Sequence, residues 1–268
     1  MTGSTQLFDE ETARKVEAVY LTPDVVAQRS ATLEALQPAA GERILDIGSG
    51  PGLLAHDMAA AVGPKGHVCG IDTSEPMLAM SAKRCAGQPW VEFRQADATQ
   101  LPYPDGSFDA AVSTQVYEYV PDIPAALAEL HRVLRPGGRA VIVDTDYGSL
   151  VIYTEAKARM ARVLAAWNEH FVHAELPRTL SRQLRDAGFA LRRREVIPMF
   201  NPEYDPDTYS HGLLALMAAF VAGRQGVTKE DADAWAAEFA ELGRQGRYFF
   251  SLNRYLFVAE RPGGRQPL

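Results

Sequence analysis

Short apolar runs alternate with helical segments between residues 43 and 144, and this alternation limits the fold more than any other feature. The apolar runs are typical of buried strands, and helical spacing lies between most of them. A strand–helix–strand unit crosses over with a right hand and brings its two strands parallel, with helices on both faces of the sheet. We therefore predict an α/β, doubly wound sheet, with its first five strands at 43–47, 67–71, 91–96, 108–113 and 139–144.

The flanking segments predict more helix than strand. Helices are expected at 9–20 and from 23 to about 36, before the sheet begins. After the fifth strand, the patterns predict one long helix at 150–171, a helix at 179–187, two helices within 206–244, and strands at 191–200 and 247–260. The segment 206–244 separates the last two strands by far more than the usual 2–5-residue hairpin loop. It is therefore an insertion whose apolar face needs a partner.

Composition excludes several classes of protein. The 268 residues carry a net charge of −7, whereas a duplex nucleic-acid binder needs a basic face. The longest unbroken apolar run, Leu213 to Ala222, is too short to span a bilayer, and the N-terminus lacks a basic start followed by an apolar stretch. Two cysteines do not form a disulfide framework. We expect reduced thiols, a cytoplasmic protein, no membrane insertion and no nucleic-acid partner.

A glycine-rich loop follows the first predicted strand directly. It reads Asp46-Ile47-Gly48-Ser49-Gly50-Pro51-Gly52, so its glycines have the spacing GxGxG. Dinucleotide dehydrogenases have GxGxxG instead, which disfavours a nucleoside dehydrogenase. Glycine between a strand and a helix allows the backbone to approach a ligand closely. The alternative is a tight strand–helix turn without a ligand.

Acidic residues end the next two predicted strands. Asp72 lies beside the glycine loop and can accept hydrogen bonds from both hydroxyls of a ribose. Asp97 suits the exocyclic amine of adenine, since a carboxylate only accepts. Each aspartate alone could be a helix cap or a loop residue. Three acidic strand ends, Asp46, Asp72 and Asp97, in successive units favour a nucleoside site.

These residues, with the segments at 101–109 (LPYPDGSFD) and 134–138 (LRPGG), resemble the class I S-adenosylmethionine-dependent methyltransferases. The resemblance covers about residues 40–145 and favours the methyltransferase type 11 branch, which includes enzymes of ubiquinone, menaquinone and natural-product biosynthesis. It implies a Rossmann-like, seven-stranded, mostly parallel sheet of order 3-2-1-4-5-7-6, with strand 7 antiparallel. It also implies S-adenosylmethionine as cofactor and S-adenosylhomocysteine as product.

The resemblance also implies which residues bind the cofactor. The glycine loop would line the methionine half, Asp46 would anchor the amino group, and Asp72 would hold the ribose. Thr73 and Met77 would flank the adenine, while Asp97 and the Ala98 N–H would bind its edge. Ser113, Thr114 and Gln115 would lie near the sulfonium. The expected cofactor-binding residues are Asp46, Gly48, Ser49, Gly50, Gly52, Asp72, Thr73, Met77, Asp97, Ala98, Thr114 and Gln115.

The segments outside the core are expected to cover the acceptor. We predict one domain, 1–268, with an N-terminal helical lid at 1–39, a cofactor-binding core at 40–145, cap segments at 146–190 and 201–246, and the last strand at 247–262. Leu213, Met217 and Phe220 would face inward from the cap. The catalytic residue is unknown, and its candidates are Tyr20, Tyr117, Tyr147, His170, His173 and His211. Arg178, Asn201 and Tyr209 are further polar candidates for contact with the acceptor.

The most favoured function is methyl transfer to a small, partly hydrophobic metabolite, because the expected cap is apolar and aromatic. O-, N- and C-methylation remain open, and so does a homodimer. The alternatives are an RNA or protein methyltransferase and a cofactor-binding protein or cyclase that transfers no methyl group. Asp144 and Asp146 are too little evidence for a metal, so none is expected. His170 and His173, expected on one helix face, lack a third ligand.

Overall fold

The computed structural model describes residues 10–263, with side chains from residue 14 onward, and contains a single seven-stranded sheet in that range. The order β3-β2-β1-β4-β5-β7-β6 confirms the prediction. The first five strands pair in parallel, whereas β7 runs antiparallel to both of its neighbours. The strands are β1 (Arg43–Ile47), β2 (His67–Asp72), β3 (Val91–Gln95), β4 (Phe108–Thr114), β5 (Leu134–Ile152), β6 (Ala190–Asn201) and β7 (Phe250–Glu260).

Helices cover both faces of the sheet and its carboxyl edge. Side-chain caps begin two of them: the Ser74 side chain accepts from the Met77 N–H at the start of α4, and the Asp122 side chain from the Ala125 N–H at the start of α5. The helices are α1 (Glu10–Tyr20), α2 (Pro23–Leu36), α3 (Leu53–Val62), α4 (Glu75–Arg84), α5 (Ile123–Val133), α6 (Lys157–Trp167), α7 (Pro177–Asp186), α8 (Tyr209–Val221) and α9 (Lys229–Arg244).

The expected long helix at 150–171 is wrong. Strand β5 continues to Ile152, because Val151 and Ile152 pair with Ser251 and Phe250 of β7 beyond a register shift. Helix α6 begins at Lys157, and after Trp167 the chain forms a 3₁₀ turn at Asn168–His170. His170 and His173 therefore do not share a helix face. Pairing with a distant strand overrode the local helical pattern.

Three large apolar clusters build the molecule. Two of them lie on opposite faces of the sheet, under α5 and α7 and under α2 and α3. The third, which we call the cap cluster, consists of α6, α8, α9 and the adjoining ends of β6 and β7. Trp235, Phe239 and Phe250 are its fully buried aromatic residues. The 201–246 insertion thus shares a core with α6 and with the adjoining ends of the sheet.

Within the described range, none of the helices combines the length and the apolar character that a membrane span requires.

Candidate functional site

A cavity of about 640 Å³ lies at the carboxyl edge of β1, β2 and β4, where α1, α2 and α8 enclose it. Open α/β sheets hold their ligands at this edge. The expected cofactor-binding residues that line it are Asp46, Gly48, Ser49, Gly50, Asp72, Thr73, Met77, Asp97, Ala98, Thr114 and Gln115. Gly52 and Ser113 lie outside the lining. The motifs of four separate strand ends therefore meet in one place.

The glycine loop has two different structural requirements. Gly50 has a φ of +52°, and a Cβ built there would meet no atom within 4 Å, so the loop leaves open space at this point. Gly52 has a φ of +76°, and its Cβ would lie 2.7 Å from Ser81 Cβ on α4. Glycine suits both conformations because it has no side chain. Gly52 accordingly permits helix packing, which explains why it does not line the cavity.

Asp72 connects the loop to the second strand. Its Oδ2 accepts from the Gly50 N–H at 2.9 Å, and its Oδ1 accepts from the Ser74 N–H at 2.9 Å. Burial raises the pKa of the Asp72 carboxyl, while these backbone donors oppose the rise. Each carboxylate oxygen retains a lone pair after one such bond. Asp72 can therefore hold the loop and still accept from a ligand.

Asp97 has a more exposed position at the far end of the cavity. Its Oδ1 accepts from the Thr99 N–H at 2.7 Å and from the Thr99 hydroxyl at 2.6 Å. These bonds form a local turn and orient the carboxylate next to Ala98, which is buried in the cavity wall. Two groups of complementary type, an acceptor carboxylate and a backbone N–H, are thus adjacent there.

Asp46 is a buried carboxyl that lacks a full set of partners. Its side chain is 2% exposed, and its Oδ2 has no hydrogen-bond partner among the described residues. Burial, and secondarily the charge of Asp72, raises the pKa of Asp46 to about 7. An uncompensated carboxylate in a buried site is costly unless a cation or donor reaches it. Asp46 is therefore suited to bind a positively charged group.

Gln115 has a strained backbone beside the same space. Its φ of +60° is uncommon for a residue other than glycine, and such strain costs on the order of 1–3 kcal/mol. The Oε1 atom accepts from the Thr145 hydroxyl at 2.6 Å, which leaves Nε2 buried without a partner among the described residues. Ser49 Oγ and Thr114 Oγ1 are buried without partners in the same part of the cavity. Unsatisfied polar atoms of this kind point to a ligand.

Aromatic residues form the other half of the cavity. The rings of Tyr147 and Phe171 stack with centroids 4.0 Å apart, and those of Trp167 and His170 stack at 4.6 Å. Burial, with a smaller effect of Arg224, lowers the pKa of His170 to about 4, so its imidazole is neutral at pH 7. Burial also raises the pKa of Tyr20 and of Tyr147, which keeps both hydroxyls protonated. This half therefore offers a wall of neutral rings.

Several candidate residues lie elsewhere. Tyr117 is buried in the sheet core, His211 contacts the Tyr204 ring, and His173 is not part of the lining. The polar candidates Arg178 and Asn201 pair with Asp146 and Asp24, respectively. From the cap, Leu213 lines the cavity as expected. Met217 and Phe220 do not: Met217 is buried in the cap cluster, and Phe220 packs against Trp167 with centroids 5.6 Å apart.

Sequence analysis missed several polar lining residues, among them Gln28, Glu118, Tyr119 and Arg254. A signal for Arg254 was present. Along β7, buried residues alternate with less buried ones, and Arg254 has the parity of the buried Leu252 and Leu256. A charged residue on the buried face of an apolar strand is rare unless it is paired or functional.

Comparisons with known proteins identify a family and named relatives of this chain. A family model described as a methyltransferase domain matches residues 45–142. A demethylmenaquinone methyltransferase of Clavibacter sepedonicus is 40% identical over 177 residues, which cover 60% of this chain and 71% of that protein. A 2-phytyl-1,4-naphtoquinone methyltransferase of Synechococcus elongatus is 43% identical over 107 residues, which cover 39% of this chain and 46% of that protein.

Solved structures with the same fold include two proteins of different activity. A Haemonchus contortus phosphoethanolamine N-methyltransferase in complex with S-adenosylmethionine aligns with a TM-score of 0.63 and 19% identity, over 96% of this chain and 58% of that chain. The (4+2)-cyclase SpnF aligns with a TM-score of 0.58 and 23% identity, over 90% of this chain and 82% of that chain. At these identities, the likeness shows the fold alone.

The sheet order, the glycine loop and the acidic strand ends define a Rossmann-like cofactor-binding protein. The chain belongs to the class I S-adenosylmethionine-dependent methyltransferases, and S-adenosylmethionine is its cofactor. The chain spans about half the length of several curated relatives that it matches, at 48% and 46% for two of them.

Proposed function

We propose that this protein transfers a methyl group from S-adenosylmethionine to a small, partly hydrophobic acceptor. One observation carries the proposal: a single cavity joins the polar carboxyl edge of the sheet to a wall of aromatic side chains. When bound, the cofactor supplies an electrophilic methyl group on its sulfonium. The chain's own residues bind and orient the two reactants and exclude water.

The polar half of the cavity matches the cofactor group by group in this proposal. Asp72 accepts from the ribose hydroxyls with the lone pairs that Gly50 and Ser74 leave free. Asp97 accepts from the adenine amine, Ala98 donates its N–H to an adenine nitrogen, and Met77 lies against the ring. The open space at Gly50 admits the methionine chain.

The unpartnered buried atoms support the placement of the methionine end. Asp46 Oδ2 accepts from the ammonium group of the cofactor. Thr114 and Gln115 contribute side-chain atoms near the sulfonium, and the strained backbone of Gln115 directs its side chain there. Satisfying these atoms recovers the desolvation cost that they carry in the free protein.

The helices that enclose the cavity position the acceptor and exclude water. Val16 and Tyr20 of α1 and Leu213 of α8 line it from two sides, so we propose that the N-terminal helices and the insertion form the lid and cap. Holding an acceptor in line with the sulfonium can lower the barrier by several kcal/mol, on the order of 7 or more in favourable cases. No described residue of the aromatic wall needs to change its protonation state for this effect.

A small aromatic or quinone-like acceptor has the best support among the alternatives. Two relatives of 40% or higher identity are named as quinone methyltransferases, although the naphthoquinone match covers less than half of that relative. The aromatic wall is chemically suited to stack on a planar ring. An RNA or protein acceptor would need a broader surface than an enclosed cavity offers.

The test is label transfer from S-adenosylmethionine, labelled in its methyl group, to a fractionated extract of the source cells. We expect label in a low-molecular-weight product and, at a limiting cofactor concentration, much less label with the Asp72→Ala variant, because that variant loses the ribose acceptor. Label in RNA or protein would support the macromolecular alternative. Cofactor binding by calorimetry without any transfer would support the cofactor-binding protein or cyclase, and would contradict the proposal.

A further inference from the structure

Arg254 is a buried cation in the wall of the cavity. Its side chain is 2% exposed, and it projects from the buried face of β7. The Nη1 group donates to Gln28 Oε1 on α2. The guanidinium carbon lies 4.4 Å from the centre of the Tyr209 ring on α8. Arg254 therefore joins the sheet, the N-terminal helices and the insertion at one point.

The contacts of Arg254 are neutral groups rather than a carboxylate. Within residues 14–263, no carboxylate forms an ion pair with it, and its Nε has no hydrogen-bond partner. A guanidinium remains protonated in proteins, so burial cannot remove this charge. Burial lowers the pKa of Arg254, but interactions with Tyr209, Tyr147 and Glu118 raise it by more. The unpartnered Nε is a charged donor in the cavity wall, and such a donor suits a ligand of opposite charge.

Other charged and titratable groups near Arg254 do not take that place. Glu118 interacts with it electrostatically, but no ion pair forms between them, and Glu118 Oε2 accepts from the Thr145 N–H at 3.2 Å. Burial raises the pKa of Glu118, which favours its neutral form and reduces its counter-charge. Burial raises the pKa of Tyr20 and of Tyr147, so their hydroxyls carry no counter-charge. Tyr209 presents its ring to the guanidinium. Asp46 and Asp72 lie at the cofactor end of the cavity.

We propose that the acceptor carries an oxygen anion, such as a carboxylate, phenolate or enolate, on a flat apolar body, and that Arg254 binds this anion. The inference rests on the proposed function and names the chemical class of its acceptor. Charged arginine donors form strong hydrogen bonds to oxygen anions, and Nε is the donor of Arg254 that has no partner among the described residues. Tyr147, Trp167 and Phe171 provide the apolar wall for the body of the same molecule.

The test uses two probes of equal shape and different charge, 1-naphthoate and 1-naphthamide. Each is titrated by calorimetry into the protein saturated with S-adenosylhomocysteine. We expect the anion to bind at least about tenfold more tightly than the amide. In Arg254→Gln, the two probes should bind equally, whereas Arg254→Lys should retain part of the preference. Arg192→Gln, at an exposed arginine on β6, is the matched control and should retain all of it.

Three outcomes would overturn the inference: equal binding of acid and amide to the unmodified protein, binding of neither, or an unchanged preference in Arg254→Gln. Thermal unfolding and S-adenosylhomocysteine affinity show whether each variant is folded. If Arg254→Gln does not fold, Arg254→Lys is compared with the unmodified protein instead. The inference then requires that the lysine variant lose part of the preference for 1-naphthoate over 1-naphthamide. Label transfer to a cationic or neutral acceptor would refute this inference alone, whereas absent transfer would refute the proposed function.

Discussion

At the scale of single residues, Asp46 and Asp72 share a cavity but have different partners. Asp72 already accepts two backbone N–H bonds, so it is oriented before any ligand arrives. Asp46 has an unpartnered oxygen and a raised pKa, so its state depends on the ligand. The same residue type is therefore a preorganised acceptor at one position and a titratable group at the other.

Replacing Asp72 tests the ribose assignment. Asp72→Ala removes the acceptors of two hydroxyls, so we expect S-adenosylhomocysteine to lose about 2–4 kcal/mol of binding free energy, at about 1–2 per hydrogen bond. Asp97→Ala should cost less, because one adenine amine loses its partner. Calorimetry measures both. Equal affinities of Asp72→Ala and the unmodified protein would refute the role.

The pKa of Asp46 predicts how cofactor binding depends on pH. The free carboxyl has a pKa of about 7, and a bound ammonium group would lower that pKa because it favours the carboxylate. Binding below pH 7 then requires loss of a proton, so affinity should fall by up to about tenfold per pH unit as pH decreases from about 7 to 5.5. Asp46→Asn should bind weakly and without this slope. A flat profile for the unmodified protein would contradict the assignment.

At the scale of elements, apolar side chains of α8 contact two different environments, the cavity and the cap cluster. Leu213 lines the cavity, while Met217, one turn later, is fully buried in the cap cluster. Helical spacing places both on one side of the helix, yet one faces a ligand space and the other faces α9 and α6. Helix α8 of the insertion therefore contributes both to the cavity wall and to the cap cluster.

Alanine variants should separate these two contacts. Met217→Ala should lower the free energy of unfolding by about 2–5 kcal/mol, because it leaves a cavity in a closed cluster. Leu213→Ala should mainly lower kcat/KM for the acceptor. Thermal unfolding and steady-state kinetics on folded protein measure the two effects. If Leu213→Ala changes stability but not kcat/KM, α8 does not contact the acceptor.

At the scale of the whole molecule, the cavity needs parts of the chain that are far apart in sequence. Tyr20 and Gln28 come from α1 and α2, Asp46 from the first strand, and Arg254 from the last. Binding of ligands should therefore stabilise the N-terminal helices together with the sheet.

Limited proteolysis tests this connection. Cofactor with acceptor should slow cleavage after Arg14 and Lys15 more than cofactor alone does, because α1 lines the cavity on the acceptor side as well. The rate of cleavage at a surface site such as Lys229 is the internal control. Equal protection by cofactor alone would mean that α1 does not respond to the acceptor.

The residues at the polar end of the cavity were predictable because each of their motifs lies within a short stretch of sequence. A glycine loop and acidic strand ends each lie within a few residues of a strand, and parallel strands necessarily bring their carboxyl ends to one edge. Gly52 shows the limit of motif reasoning, since its requirement comes from packing against Ser81. The acceptor end was less predictable. Tyr117 and His211 have side chains that could act as catalytic groups. However, Tyr117 is buried in the sheet core and His211 contacts the Tyr204 ring.

The sequence by itself determined the fold class, the first five strands and most of the residues at the polar end of the cavity, because hydrophobic period and turn chemistry act over short distances. Tertiary structure alone decided that β5 extends to Ile152, because that strand end forms only by pairing with β7. It also decided that Gln28 on α2 and Arg254 on β7 meet at Tyr209. These residues are brought together by long-range burial, which no local pattern encodes.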